Sequence, residues 1–328
     1  MINKNLVYLS YGNDAEYRRT VFSILSFCAW CGDCLNTTRI VVYTDALIFF
    51  DAYLKDIEVE YVFLSEEQLK EMSGPDDFIH RRKVAVINFT FEKYPDLDQL
   101  FIDSDTFFIS PASILFKPQH KQESFMHIRE YRIEEAPTIF GVFNQQNFPM
   151  SFIDYIEQRD FEVGGKNIHF TQQYYSWNSG VLGLSKYFFA YMPDVIRLTD
   201  LFFSGSKWFV SEQLAFSFVL QDVTEIKPSG HLIMHYWGRR QKMLMDNLLI
   251  HDLAESNAGR LNSLTGIRSM TLSWKKKIEN DLILEQLEIA RRSGSWYYGG
   301  KKIIQFLLSN GFNMNSYKEL LKSLKKCH

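Results

Sequence analysis

Leu100-Phe101-Ile102-Asp103-Ser104-Asp105-Thr106-Phe107-Phe108 is the stretch on which the fold of this chain turns. Apolar residues flank two carboxylates, and Pro111 follows as a turn signal. A short apolar run ended in this way reads as a strand buried on both faces. In extended backbone, residues i and i+2 point to the same side, so Asp103 and Asp105 are expected to aim at one spot at a strand end. Ligands collect at that edge of an open α/β sheet. Two anions so placed repel unless something positive lies between them, and a hard divalent cation, Mn²⁺ or Mg²⁺, is the usual answer. The competing reading of an Asp-x-Asp triplet is a solvated turn.

Upstream, Leu6–Ser10 reads as a strand, Tyr11–Asp14 as a turn and Glu16–Trp30 as a helix. Strand Arg39–Tyr43, a short helix near 46–54, strand Val59–Leu64 and helix Lys83–Lys93 follow, the last opened by the basic triplet Arg81-Arg82-Lys83. This alternation predicts a mostly parallel sheet with helices on both faces. The turn after the first strand, Ser10-Tyr11-Gly12-Asn13-Asp14, is neither a Gly-x-Gly-x-x-Gly loop nor a Walker loop. Phosphate would then be held by a metal and by basic side chains.

Downstream, Ser110 is expected to cap and Pro111 to start a helix to about Phe116. Residues 117–170 read as an irregular polar segment, a functional loop or small subdomain assigned to acceptor recognition. In Tyr174-Tyr175-Ser176-Trp177-Asn178-Ser179-Gly180-Val181-Leu182-Gly183-Leu184, aromatics suited to a sugar face precede a small polar triplet and an apolar strand. Asn178 and Ser179 can bond hydroxyls, and Gly180 lets backbone approach a ligand; a plain β-turn entering a core strand is the alternative. Ser211 is expected to N-cap a helix over Leu214–Leu220. Glu212 then either serves the helix dipole or, with Gln213, faces the reacting sugar carbon. In His231-Leu232-Ile233-Met234-His235-Tyr236-Trp237-Gly238, alternation puts both histidines on one face, and Arg239, Arg240 and Lys242 follow. An imidazole with two carboxylates suits Mn²⁺ better than Ca²⁺, which singles out Asp103, Asp105 and His235. The basic cluster sits where diphosphate charge needs neutralising.

The remainder reads as helical and increasingly charged: Leu244–Leu253, Trp274–Arg292, Lys301–Leu308 and Tyr317–Lys326. The last is basic and amphipathic, fit for docking on the main domain or a partner, or for weak contact with an anionic membrane surface. With 328 residues and a net charge of −3, the chain has room for a large core and no global field for nucleic acid. The start of the sequence lacks signal-peptide features, and the apolar stretch Val21–Cys31 is too short to span a bilayer. The expectation is a cytoplasmic protein, with peripheral contact at the inner face of the cell membrane as the reading open to the basic helix. Of the four cysteines, Cys28, Cys31 and Cys34 have spacing that invites zinc or an iron–sulfur cluster. The preferred reading buries Cys28 and Cys31 on the first helix, with Cys34 past its Gly32 stop.

Taken together, Phe-Ile-Asp103-Ser-Asp105-Thr-Phe-Phe, Asn178-Ser179-Gly180-Val-Leu-Gly-Leu, Ser-Glu212-Gln213 and His235-Tyr-Trp-Gly238 resemble the GT-A fold nucleotide-diphospho-sugar glycosyltransferases, glycosyltransferase family 8 and its neighbours in particular. The resemblance spans about Leu6 to Lys242. It implies an α/β fold with a mixed, mostly parallel sheet flanked by helices. A catalytic domain would cover 1–242, with a donor half to about 116 and an acceptor half from 117, and a helical extension would cover 243–328. It implies transfer, with retention, from a UDP-linked sugar to a glycan or lipid-linked acceptor in bacterial surface glycan synthesis, with no nucleic-acid partner. Mn²⁺ (or Mg²⁺) would lie on Asp103, Asp105 and His235. The donor would be contacted by Tyr8, Ser10, Tyr11, Arg82, Lys83, Ser104, Ser179, Gly180, Gly238, Arg239 and Lys242, and the sugar and acceptor side by Asn178, Glu212 and Gln213. Two departures stand out. Gln241 occupies the place of the family's diphosphate lysine, with Lys242 one residue later, and Glu212-Gln213 replaces the usual Asp-Gln. A haloacid-dehalogenase-like phosphatase and a non-catalytic sugar-nucleotide-binding protein are the rival readings.

Overall fold

A computed structural model describes residues 2–253, 263–292, 295–311, 314, 317–318 and 320–321. It divides into two compact units, Met1–His235 and Tyr236–His328, where the sequence pattern had put the boundary at 242.

The first unit is built on a seven-stranded sheet. Its strands are β1 (Lys4–Ser10), β2 (Thr38–Thr44), β3 (Val59–Phe63), β4 (Asp98–Ile102), β6 (Glu123–Met126), β11 (Val181–Leu184) and β12 (Glu225–Pro228), in the order β12-β6-β11-β4-β1-β2-β3. The block β4-β1-β2-β3 is parallel, and β11 is inserted antiparallel between β4 and β6. The sheet is therefore mixed and mostly parallel, as expected. Helices α1 (Asp14–Cys31), α2 (Leu47–Leu54), α3 (Glu66–Met72) and α4 (Arg81–Lys93) link the parallel strands. Asn13 starts α1, its side chain accepting from the N–H groups of Ala15 and Glu16. Ser65 and Gln68 form a capping box on α3, a helix the sequence pattern had not separated from its surroundings.

Several expectations are corrected. The stretch around Asp103 is not one strand. β4 stops at Ile102, residues 103–105 turn, and β5 (Thr106–Phe108) runs on as half of a ribbon with β13 (Ile233–His235). The carboxylates are thus brought together by a turn rather than by strand alternation. His231 lies in a turn before β13, so the shared face expected for the two histidines does not exist. No α-helix follows Pro111: a 3-10 turn covers Ser113–Phe116, and the Ser110 hydroxyl donates to the His231 carbonyl. Residues 117–170 are ordered, holding β6, β7 (Arg129–Arg132), α5 (Ala136–Gly141), α6 (Asn147–Glu157) and the hairpin β8 (Phe161–Val163)–β9 (Lys166–Ile168). Gly164 and Gly165, both at positive φ, make the hairpin's two-residue turn. Strand β10 (Tyr175–Trp177) pairs antiparallel with β7. Helices α7 (Met192–Ser206) and α8 (Ser211–Val223) complete the unit. Val210, not Ser211, holds the N-cap position of α8, and the Ser211 hydroxyl donates to the Trp208 carbonyl.

The aromatic richness of the chain goes largely into this packing. Phe152, Phe161, Phe170, Phe202, Trp208 and Phe218 lie in one buried cluster, with the Phe152–Phe202 and Phe170–Phe218 ring centroids each 5.0 Å apart. Across the sheet, Phe27 packs on Phe108 and Phe116. Cys28 and Cys31 are buried on α1 and their thiols are unbridged; burial pushes the Cys28 thiol up to about 12. Among the described residues, no group of metal-ligating side chains includes a cysteine.

The second unit contains α9 (Arg239–Asp252) and helices Leu264–Arg292 and Trp296–Asn310. Ile283, Leu287, Phe306 and Leu320 form its small core, and the amides of Asn280 and Asn310 bond each other. The helices are longer than their sequence patterns, α9 starting before Leu244 and the next before Trp274. Of the basic stretch 317–326, residues 319 and 322–326 lie outside the described residues. No helix among the described residues is long and apolar enough to cross a membrane.

Candidate metal centre and donor site

Strand register assembles the site. β1 and β4 are parallel, so Ser10 and Asp103 come out at the same carboxyl edge of the sheet. Val181 pairs with Ile102, and the Asp103 N–H donates to the Gly180 carbonyl (2.9 Å), which seats the Asn178–Gly180 turn on the Asp103 turn. In the β5–β13 ribbon His235 stands opposite Thr106, beside Asp105. Three segments far apart in sequence therefore meet at one point.

There, Asp103, Asp105 and His235 offer ligand atoms that all lie within 4.8 Å of one another. His235 Nε2 is 3.2 Å from Asp105 Oδ1 and 3.9 Å from Asp103 Oδ2. His235 Nδ1 is 2.8 Å from Asn178 Oδ1, which also accepts from the Gly180 N–H at 3.0 Å. A backbone N–H can only donate, so that end of the amide is the oxygen and Nδ1 carries a proton, which leaves Nε2 as the ring atom turned to the carboxylates. A cation among the three would neutralise the two carboxylates and could take Nε2 as a further ligand. Two oxygens and an imidazole nitrogen, the ring held from behind by a carbonyl oxygen, fit a divalent ion such as Mn²⁺.

A Cβ on Gly180 would lie 2.2 Å from the His235 ring, so the bare Cα makes room for the histidine.

Lys83, at the start of α4, reaches into the centre. Its Nζ donates to Asp103 Oδ2 (3.0 Å), Ser179 Oγ (3.0 Å) and Glu212 Oε1 (3.2 Å). Burial alone would lower its ammonium, but the Asp103 and Glu212 carboxylates outweigh that and hold it above its ordinary value. Glu212 also accepts from the Ser179 hydroxyl (3.0 Å), so it is a buried partner of a lysine rather than an isolated carboxylate. Gln213 accepts from the Ser179 N–H (3.2 Å) and donates to Ser176 and Glu130.

The other expected donor contacts are distributed unevenly. Arg82 lies over the Tyr11 ring, 4.9 Å from its centroid, with Nε donating to Ser73. Ser104 donates to Glu16, which also pairs with Arg19. Ser10 is buried and donates to the Glu16 carbonyl. Tyr8 is fully buried beneath α1, its hydroxyl accepting from Ser23, and burial pushes that hydroxyl far above its ordinary range. Gly238, Arg239 and Lys242 belong to the second unit, where Gly238 precedes α9 and Arg239 is exposed on its first turn. Arg240 is paired with Asp281 (2.7 Å) and Glu288 (3.0 Å), and Gln241 donates to Asp281 and Glu285.

Glu130 and His127, both at the site, were missed in the sequence. Glu130, on β7, accepts from Asn178, Gln213 and Ser176; burial pushes its carboxyl up, and these donors hold part of that back. His127 packs edge-on to His235, centroids 5.4 Å apart. Asp45, after β2, accepts from the Gly12 N–H (3.0 Å) and the Tyr17 hydroxyl (2.8 Å). Both Glu130 and His127 fall in the stretch read as irregular; the alternation of buried and exposed residues there covers too few positions to stand out.

No protein-family model matches the chain, and no curated protein does. Among solved structures it is similar to the galactosyltransferase LgtC in complex with donor and acceptor sugar analogues, at 13% identity over 72% of this chain and 87% of that one, with a TM-score of 0.44. It is similar to the glycosyltransferase GlyE of Streptococcus pneumoniae TIGR4 at 10% identity over 85% of this chain and 64% of that one, TM-score 0.46. It is also similar to a glycosyltransferase involved in glycosylation of the major capsid of PBCV-1, at 11% identity over 76% of this chain and 99% of that one, TM-score 0.42.

Proposed function

We propose that the protein is a metal-dependent glycosyltransferase that moves a sugar from a UDP-linked donor to the hydroxyl of a glycan or lipid-linked acceptor, in surface glycan synthesis. The observation that carries the proposal is the convergence of Asp103, Asp105 and His235 Nε2, within 4.8 Å of one another, at the carboxyl edge of the parallel strands. A divalent ion bound by these three would act as a Lewis acid on the diphosphate leaving group. Lys83 adds a fixed positive charge next to Asp103, where negative charge on a departing diphosphate would grow. The contact of Arg82 with the Tyr11 ring, beyond the end of β1, supports a role for Tyr11 in holding the base and ribose and for Arg82 in contacting the donor. The pairing of Glu212 with Lys83 favours a retaining route, which needs no protein base, over an inverting one with Glu212 as base.

The test is sugar release and transfer from a panel of UDP-sugars, with phosphate release from simple monoesters measured alongside. Mn²⁺-dependent turnover is expected, falling about 100-fold or more in Asp103→Ala and Asp105→Ala with the fold intact. Near-wild-type transfer by Asp103→Ala would overturn the assignment, and monoester hydrolysis without donor turnover would favour the phosphatase.

A further inference from the structure

We infer that Glu130 is a positioning residue for the metal centre, holding His235 through Asn178 in the tautomer whose Nε2 is free of hydrogen. The inference rests on reading Asp103, Asp105 and His235 as a metal site. Glu130 Oε1 accepts from Asn178 Nδ2 at 3.1 Å, and Oε2 accepts from Gln213 Nε2 at 2.9 Å and Ser176 Oγ at 3.2 Å. Three donors converge on the Glu130 carboxyl, so the NH₂ end of each amide is turned toward it. The oxygen ends then face the other way. Gln213 Oε1 meets the Ser179 N–H at 3.2 Å, and Asn178 Oδ1 meets the Gly180 N–H at 3.0 Å and His235 Nδ1 at 2.8 Å. One carboxylate therefore orients two amides, and one of these amides orients the imidazole. Ligating histidines are commonly held by such a bond on the nitrogen away from the metal, and loss of the outer partner weakens metal binding about 10- to 100-fold. Glu130 touches neither carboxylate ligand, and both of its oxygens are engaged by donors of the chain itself, so its part is orientation rather than contact with substrate.

The experiment uses the full chain with ¹⁵N-labelled histidine, free of metal, at mildly alkaline pH. Long-range ¹H–¹⁵N spectra of the wild type should give His235 a protonated Nδ1 and an unprotonated Nε2. The opposite tautomer in the wild type would overturn the inference without any variant. Glu130→Gln keeps the size of the side chain and replaces an acceptor edge with a donor. It should bring in the second tautomer and weaken Mn²⁺ binding, measured by calorimetry, about 10- to 100-fold. Ser176→Ala removes a Glu130 partner outside the path to Asn178 and should leave the wild-type tautomer in place. A single wild-type tautomer and unchanged Mn²⁺ affinity in Glu130→Gln would reduce Glu130 to packing and sink the inference. Should the wild type bind no Mn²⁺, the metal reading would fall, while the tautomer in Glu130→Gln would still decide the positioning role.

Discussion

His235 is the residue on which the centre depends, and two of its neighbours make that measurable. The Gly180 Cα lies against its ring, leaving no room for a methyl group. Gly180→Ala should displace the ring and weaken Mn²⁺ binding about tenfold or more, as losing a ligand's support does; wild-type affinity in that variant would contradict the packing described. His127 packs edge-on against the His235 ring, with Nε2 3.1 Å from the Ile233 carbonyl. Burial first, and the neighbouring His235 second, push its imidazole down to about 3. An unfolded histidine titrates near 6.5. Between those values the unfolded chain binds a proton that the folded chain does not, so stability drops as pH falls from about 6.5 toward 3. The urea midpoint should therefore fall between pH 7 and pH 5, and fall less in His127→Asn. Equal falls in both proteins would show that this burial is not felt. At this scale the sequence was legible where chemistry was concentrated: Asp103, Asp105, His235, Asn178, Lys83, Glu212 and Gln213 all meet. Glu130 and His127 were not legible, because each acts only through a partner that is distant in the chain.

Among the elements, α4, α8 and the Asn178–Gly180 turn are tied by one ammonium. Lys83 and Glu212 keep only 11% and 6% of their side-chain surface exposed, and their nitrogen and oxygen are 3.2 Å apart. Removing one member of such a pair leaves the other charge buried, at a cost of about 3 kcal/mol or more. Lys83→Met should lose roughly that much stability in denaturant unfolding, and adding Glu212→Gln should restore part of it. No recovery in the double variant would mean that Lys83 acts mainly through Asp103. The order of strands and helices up to Lys93, α3 apart, could be read because those elements are patterned along their length. From 117 to 170 it could not, since strands of three or four residues carry too little periodicity and find their partners far away, as β7 does with β10. The break at Asp103 was also hidden, because the apolar residues on both sides continue the same pattern through a turn.

For the molecule as a whole, the mixed and mostly parallel sheet follows from the alternation of elements, and its insertion of β11 between β4 and β6 explains the site. That antiparallel strand enters the sheet directly after the Asn178–Gly180 turn, and so carries the turn to the carboxyl edge where β4 ends. No local pattern in the sequence encodes such an insertion; the likeness of the motifs to a known family implied only that the sheet is mixed. The division into two units at 235 was likewise not marked by composition, since the change to helical sequence begins inside α9. The most direct test of the central claim is a calorimetric titration of UDP-sugars into the full chain, with and without Mn²⁺, in the wild type and in Asp105→Ala. Donor binding should require Mn²⁺ and disappear in Asp105→Ala. Donor binding of equal strength without the metal, or in the variant, would contradict the account.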